Sequence, residues 1–121
     1  MTTKGSQAYK SHIFYLLAAL AGLWWGSNAA LAQQADARAG QAVYTKSCVS
    51  CHAADGAPKE AIAKMLQVEM RHLGSKEVQA KTDVELRKDS VEGIGKMKAV
   101  KGLDDKQVAD LIAFLRTLKA E

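Results

Sequence analysis

Cys48-Val49-Ser50-Cys51-His52 sets two thiols and an imidazole at the spacing of a covalent haem attachment site. Each thiol can add across one haem vinyl group to form a thioether. The adjacent imidazole, neutral and with one nitrogen free, can then ligate the iron. Two other chemistries use a C-x-x-C pair. A redox dithiol sits in a βαβ context, which is absent here, and a four-ligand zinc site needs a second Cys/His pair, which is also absent. Both cysteines of the chain fall inside the motif, so no disulfide is expected.

Upstream, Lys4 and Lys10 lie in a stretch with no acidic residue before Asp36. The apolar run from Ile13 to Trp25 follows, then Gly26-Ser27-Asn28 and Ala29-Ala30-Leu31-Ala32. This is the pattern of a secretory signal peptide over 1–32, with cleavage expected after Ala32. A retained membrane anchor is the alternative. Ile13 to Trp25 is short for a spanning helix, which needs about 20 apolar residues, although counting on to Ala32 reaches that length. Neither cysteine lies near the cleavage site, so lipid attachment there is excluded. The expectation is an exported protein, periplasmic, with one domain over 33–121.

Leaving out Lys4 and Lys10, residues 33–121 hold 15 of the 17 basic residues and all 13 acidic ones, a formal charge of +2. Two haem propionates bring that close to zero, so nothing supports nucleic-acid binding. Tyr44 and Phe114 are the aromatic residues that remain in this domain. A chain of this size makes a marginal core by itself, and a covalently held haem supplies the large apolar body it lacks. No internal repeat or linker composition divides it.

The domain reads as helices joined by loops. Asp36 suits the N-cap of a helix over roughly Ala37 to Lys46, with Ala39 and Val43 on an apolar edge and Gly40 allowing close backbone approach. Pro58 suits the first position of a second helix carrying Ile62, Met65, Leu66, Met70 and Leu73 up to Gly74. Ser75 can start a short turn. Thr82-Asp83-Val84-Glu85 has the form of a capping box for a helix to about Glu92, closed by Gly93. Asp104 through Gln107 repeats that form before Val108, Leu111, Ile112, Leu115 and Leu118, with Phe114 beside them. Nothing alternates like a strand, and the class is all-α.

With these residues in view, the chain resembles a class I cytochrome c of the small exported monohaem kind. The resemblance covers nearly all of 36–121. It rests on Gly40-x-x-x-Tyr44 before the Cys48–His52 motif, on Gly93-Ile94-Gly95-Lys96-Met97, and on Leu111 through Leu118. It implies helices wrapped around one haem c, with the first and last crossing at a glycine and an aromatic contact, here Gly40 and Tyr44 against Leu111 and Phe114.

The resemblance also nominates Met97 as the second axial ligand of the iron, opposite His52. Thioether sulfur is a soft neutral donor that favours ferrous iron, so His/Met ligation raises the reduction potential. Met65 and Met70 lie on the apolar stripe and read as core residues. His72 is the other histidine of the domain, and bis-His ligation through it would lower the potential. Two departures from the family pattern stand out. Lys98 follows Met97 where proline is common, and Ala53 follows His52 where glycine is common. Proline would stiffen the loop that holds the sulfur. Whether a carbonyl near Pro58 accepts the His52 Nδ1–H stays open at this point.

Two functions follow. The first is a one-electron carrier, monomeric and not an enzyme, exchanging electrons with periplasmic or membrane-bound redox proteins at the exposed haem edge. No nucleophile, general base or substrate-pocket signature is visible, and Lys96, Lys98 and Lys101 beside Met97 can steer an acidic partner. The second is a haem-based ligand sensor or peroxidase-like enzyme with an open or labile sixth position. It would need polar distal groups, of which Arg71 and His72 are the conceivable ones. Because thioether links need both sulfurs, Cys48→Ser with Cys51→Ser is expected to abolish covalent haem. Haem staining on a denaturing gel checks this, and a surviving band would refute the attachment assignment.

Overall fold

Asp36 starts the first helix by turning its carboxylate onto the free N–H groups of Arg38 and Ala39, at 2.8 and 3.3 Å. Helix α1 then runs Ala37–Ser47. The computed structural model describes residues 34–120, so the expected leader and its cleavage site lie outside the described residues. Four more helices follow: α2, Glu60–Leu66; α3, Lys76–Gln79; α4, Asp83–Glu92; and α5, Asp105–Leu115. No strand forms among the described residues. Two isolated pairings occur instead, His52 with Pro58 and Ile94 with Met97. The all-α expectation holds.

Both capping boxes form. Thr82 accepts from the Glu85 N–H while the Glu85 carboxylate takes the Thr82 N–H at 2.7 Å, and Asp104 and Gln107 exchange bonds in the same way. Each such cap satisfies backbone donors that a helix start leaves bare, and removing one costs about 1 kcal/mol. Gly93 closes α4 with φ at 85°, a conformation a side chain would strain.

The second helix differs from the sequence expectation. It begins at Glu60 because Pro58 is paired opposite His52 and the Lys59 N–H donates to the Cys51 carbonyl at 3.2 Å. It ends at Leu66, where Gln67 takes a left-handed backbone with φ at 55°. The apolar spacing from Ile62 to Leu73 is therefore broken between a short helix and a non-helical stretch. Met65, expected in the core, is 69 % exposed. Met70 is half-buried.

The core is built where α1 crosses α5, with α4 packed against α5. Tyr44 comes from α1, Leu86 from α4, and Leu111, Ile112, Phe114 and Leu115 from α5, with Leu118 just beyond. At the crossing, a Cβ on Gly40 would overlap the Asp110 carbonyl and come within 2.9 Å of the Phe114 Cβ. Tyr44 and Phe114 meet with ring centroids 5.0 Å apart and planes tilted by 51°. A tilted pair of this kind adds about 0.5–1.5 kcal/mol beyond the area it buries.

Polar groups secure the same crossing. The buried Asp110 carboxylate accepts the Asp36 N–H at 2.8 Å and the Lys106 ammonium at 2.8 and 3.0 Å. At the other end of α5, Arg116 donates to the Gln79 and Lys81 carbonyls and to the Asp83 carboxylate. Gln79 in turn donates to the carbonyls of Leu73 and Leu115. These bonds tie the α3–α4 segment to the last helix.

Two outcomes follow from the crossing. Gly40→Ala is expected to cost about 3 kcal/mol, since the methyl group meets rigid backbone on the facing helix, and the denaturant midpoint of the variant reads this. The Asp36 N–H first, and the Lys106 ammonium second, hold the Asp110 carboxyl below the usual carboxylate range. A depressed folded value means that its stabilisation is complete above the unfolded pKa, about 3.9, and is lost as pH falls through the folded one. Asp110→Asn should accordingly flatten the fall in stability below about pH 4, as followed by thermal unfolding across pH.

Candidate functional site

Helix α1 delivers the motif. Cys48 is its C-cap, donating its N–H to the Tyr44 carbonyl at 2.8 Å. The chain then turns tightly, with the N–H groups of Cys51 and His52 both reaching the Cys48 carbonyl at 3.1 and 3.0 Å. Cys48, Cys51 and His52 therefore lie on one turn, all half-buried, with both thiols free. Further donors fix this turn from outside. The Lys59 ammonium reaches the Val49 carbonyl, and the Tyr44 hydroxyl donates to the Ala53 carbonyl at 2.7 Å.

The protonation states suit attachment better than dithiol redox chemistry. Burial, helped by the neighbouring Cys51, pushes the Cys48 thiol up to about 11. Catalytic C-x-x-C thiols are shifted the other way. Burial also lowers the His52 pKa, so the imidazole stays neutral, the form that ligates a metal. The hydroxyl of Tyr44 is pushed up by burial and remains a donor. His52 Nδ1 is buried with no hydrogen-bond partner among the described residues, so the carbonyl that sequence left in question near Pro58 does not accept from it.

Met97 stands on a separate loop between α4 and α5. The Ile94 and Met97 N–H groups each bond to the other residue's carbonyl, at 3.1 and 2.9 Å, and the Val100 N–H returns to the Ser90 carbonyl at 2.8 Å. A Cβ on Gly93 would lie 2.5 Å from the Met97 carbonyl, so the loop folds tightly onto the end of α4. Met97 is 37 % exposed and Ile94 52 %. No hydrogen bond joins this loop to the Cys48–His52 turn among the described residues. His72 is already engaged, because its Nδ1 accepts the Gly74 N–H at 2.9 Å. That bond places the proton of a neutral ring on Nε2 and leaves neither nitrogen bare.

These residues fit a haem. Two protonated thiols and a neutral imidazole share one turn, and a buried ring nitrogen has no partner in the protein. Pro58, paired with His52, begins an open groove of about 430 Å³ that also takes in Ala63, Val68 and Met70. Among the described residues, no cluster of three His, Cys, Asp or Glu side chains could hold a metal ion unaided.

The family model described as Cytochrome c matches residues 37–119. The chain belongs to the cytochrome c family. It is a class I c-type cytochrome and carries covalently attached haem c. Comparisons with curated proteins and with solved structures returned no match. Members of the family are typically exported electron-transfer proteins, and no helix among the described residues of this cytochrome is long and apolar enough to cross a membrane.

Sequence reasoning missed two features of the site. The Tyr44 hydroxyl was legible only as an aromatic ring for the helix crossing. Lys59 carried no signal, because its contact with Val49 spans ten positions across a loop.

Proposed function

We propose that this cytochrome is a one-electron carrier in which Cys48 and Cys51 hold the haem through thioethers and His52 and Met97 are the axial ligands. The observation that carries the reading is the turn that puts both free thiols and a neutral imidazole at the end of the most firmly packed helix. The haem supplies the ferric–ferrous couple. The chain's own residues present the ligands, hold the imidazole unprotonated and keep the surroundings apolar.

Support for Met97 comes from its loop. Backbone bonds at Ile94, Met97 and Val100 supply stiffness that a proline after the methionine would otherwise provide. Support against His72 comes from its bond to Gly74. Redox protein partners, periplasmic or membrane-bound, meet the monomer at the face around Met97, where Ile94 is exposed and Lys96, Lys98 and Lys101 are solvated. Three cations beside an apolar spot favour an acidic partner and a salt-sensitive on-rate. The leader over 1–32 is part of this proposal, since it takes the chain to an exported compartment.

The sensor or peroxidase-like reading draws on one observation, the exposure of Met97, which would suit a labile ligand. Absorption spectra of the ferric and reduced protein separate the two. A low-spin spectrum with the weak far-red band of methionine sulfur is expected, and a high-spin ferric spectrum would favour the open-iron reading. Met97→Ala should lower the midpoint potential and open the iron to carbon monoxide. An unchanged ligand-field spectrum in that variant would remove Met97 from the iron.

A further inference from the structure

The Tyr44 hydroxyl has a task that helix packing does not require. A phenylalanine would meet Phe114 equally well at the observed 5.0 Å. The hydroxyl instead reaches nine residues along the chain to the Ala53 carbonyl, at 2.7 Å. Ala53 directly follows His52, and its peptide is pinned on every side. The same carbonyl accepts the Gly56 N–H at 2.9 Å, and the Ala53 N–H donates to the Ala57 carbonyl at 2.7 Å. Before the imidazole, the His52 N–H returns to the Cys48 carbonyl at 3.0 Å.

His52 is thus tied to α1 twice, through Cys48 to the helix end and through Tyr44 to the buried middle. The second tie matters more because the ring lacks one of its own. Its Nδ1 has no hydrogen-bond partner, so no bond to a ring nitrogen sets the angle of the imidazole. A metal-ligating histidine is ordinarily oriented through that other nitrogen. Here the orientation has to be inherited from the backbone that carries the residue. Tyr44, 1 % exposed and wedged between Gly40 and Phe114, is the rigid point from which it is inherited.

We propose that Tyr44 is a positioning residue for the proximal ligand, its hydroxyl fixing the peptide after His52 and so the angle at which the imidazole meets the iron. This rests on His52 being that ligand. The expected signature is electronic as well as structural, because the orientation of an axial imidazole sets how unpaired spin is distributed over the haem.

The test is proton NMR of the ferric holoprotein labelled with ¹⁵N-histidine, together with its midpoint potential. In the wild type, a hyperfine-shifted imidazole resonance from His52 is expected. Its absence would overturn the ligand assignment and this proposal with it. Given that resonance, Tyr44→Phe should move it, redistribute the haem methyl shifts and displace the potential. Thr82→Ala, which removes the cap of α4, serves as the control for lost stability and should leave all three unchanged. Difluorotyrosine incorporation, which alters the strength of the donor but not the shape of the ring, should move the same signals in a graded way. It decides the matter if Tyr44→Phe yields no holoprotein, Tyr44 being the tyrosine of residues 34–120. Unchanged shifts and potential, whether in Tyr44→Phe with a loss of stability alone or in the fluorinated protein, would overturn the proposal.

Discussion

Where Gly40 on α1 meets the Asp110 carbonyl on α5, two backbones approach more closely than any side chain permits. The approach brings Tyr44 against Phe114, sets the Asp36 N–H on the Asp110 carboxylate, and gathers most of the buried apolar surface around one crossing. The attachment turn begins at the end of α1, so the position of Cys48 depends on this contact too. A small domain with few core residues concentrates its stability in this way, and a covalent cofactor extends the core where side chains do not reach.

The remaining segments are held more by polar bonds to fixed points than by apolar burial. Helix α2 contributes no buried residue, and α3 is a single turn. Arg116 and Gln79 compensate by tying loop carbonyls to the end of α5, and Lys59 does the same for Val49. Bonds from charged donors to carbonyls are directional, so they set the course of irregular backbone in a way that non-directional burial does not. The Met97 loop follows the same logic with backbone groups alone.

Around the motif, burial acts on charge in a consistent sense. It raises the thiol of Cys48, keeps the imidazole of His52 neutral and preserves the hydroxyl of Tyr44. Desolvation disfavours the charged form of each group, whatever its sign. The outcome is a turn of neutral donors, suited to a neutral ligand for iron and unsuited to thiolate chemistry.

Local pattern was enough to read α1, α4 and α5 with their caps, because Asp36, Thr82 and Asp104 act on N–H groups only two or three residues away. The attachment motif was equally legible, since its chemistry lies in five consecutive residues. The spacing from Ile62 to Leu73 misled, because helical periodicity carries no information about Pro58 being captured by His52 or Gln67 turning left-handed. Nor does it say which apolar side chains find a partner, as the exposure of Met65 illustrates. By itself the sequence determined the class, the helix starts and the haem chemistry, all of which are short-range. Only the tertiary structure decided that Tyr44 reaches Ala53, that His72 is occupied by Gly74, and that Asp110 and Arg116 anchor distant segments. The three anchoring bonds depend on where separate elements come to rest against one another, and the His72 contact on the path of an irregular loop, neither of which spacing along the chain encodes.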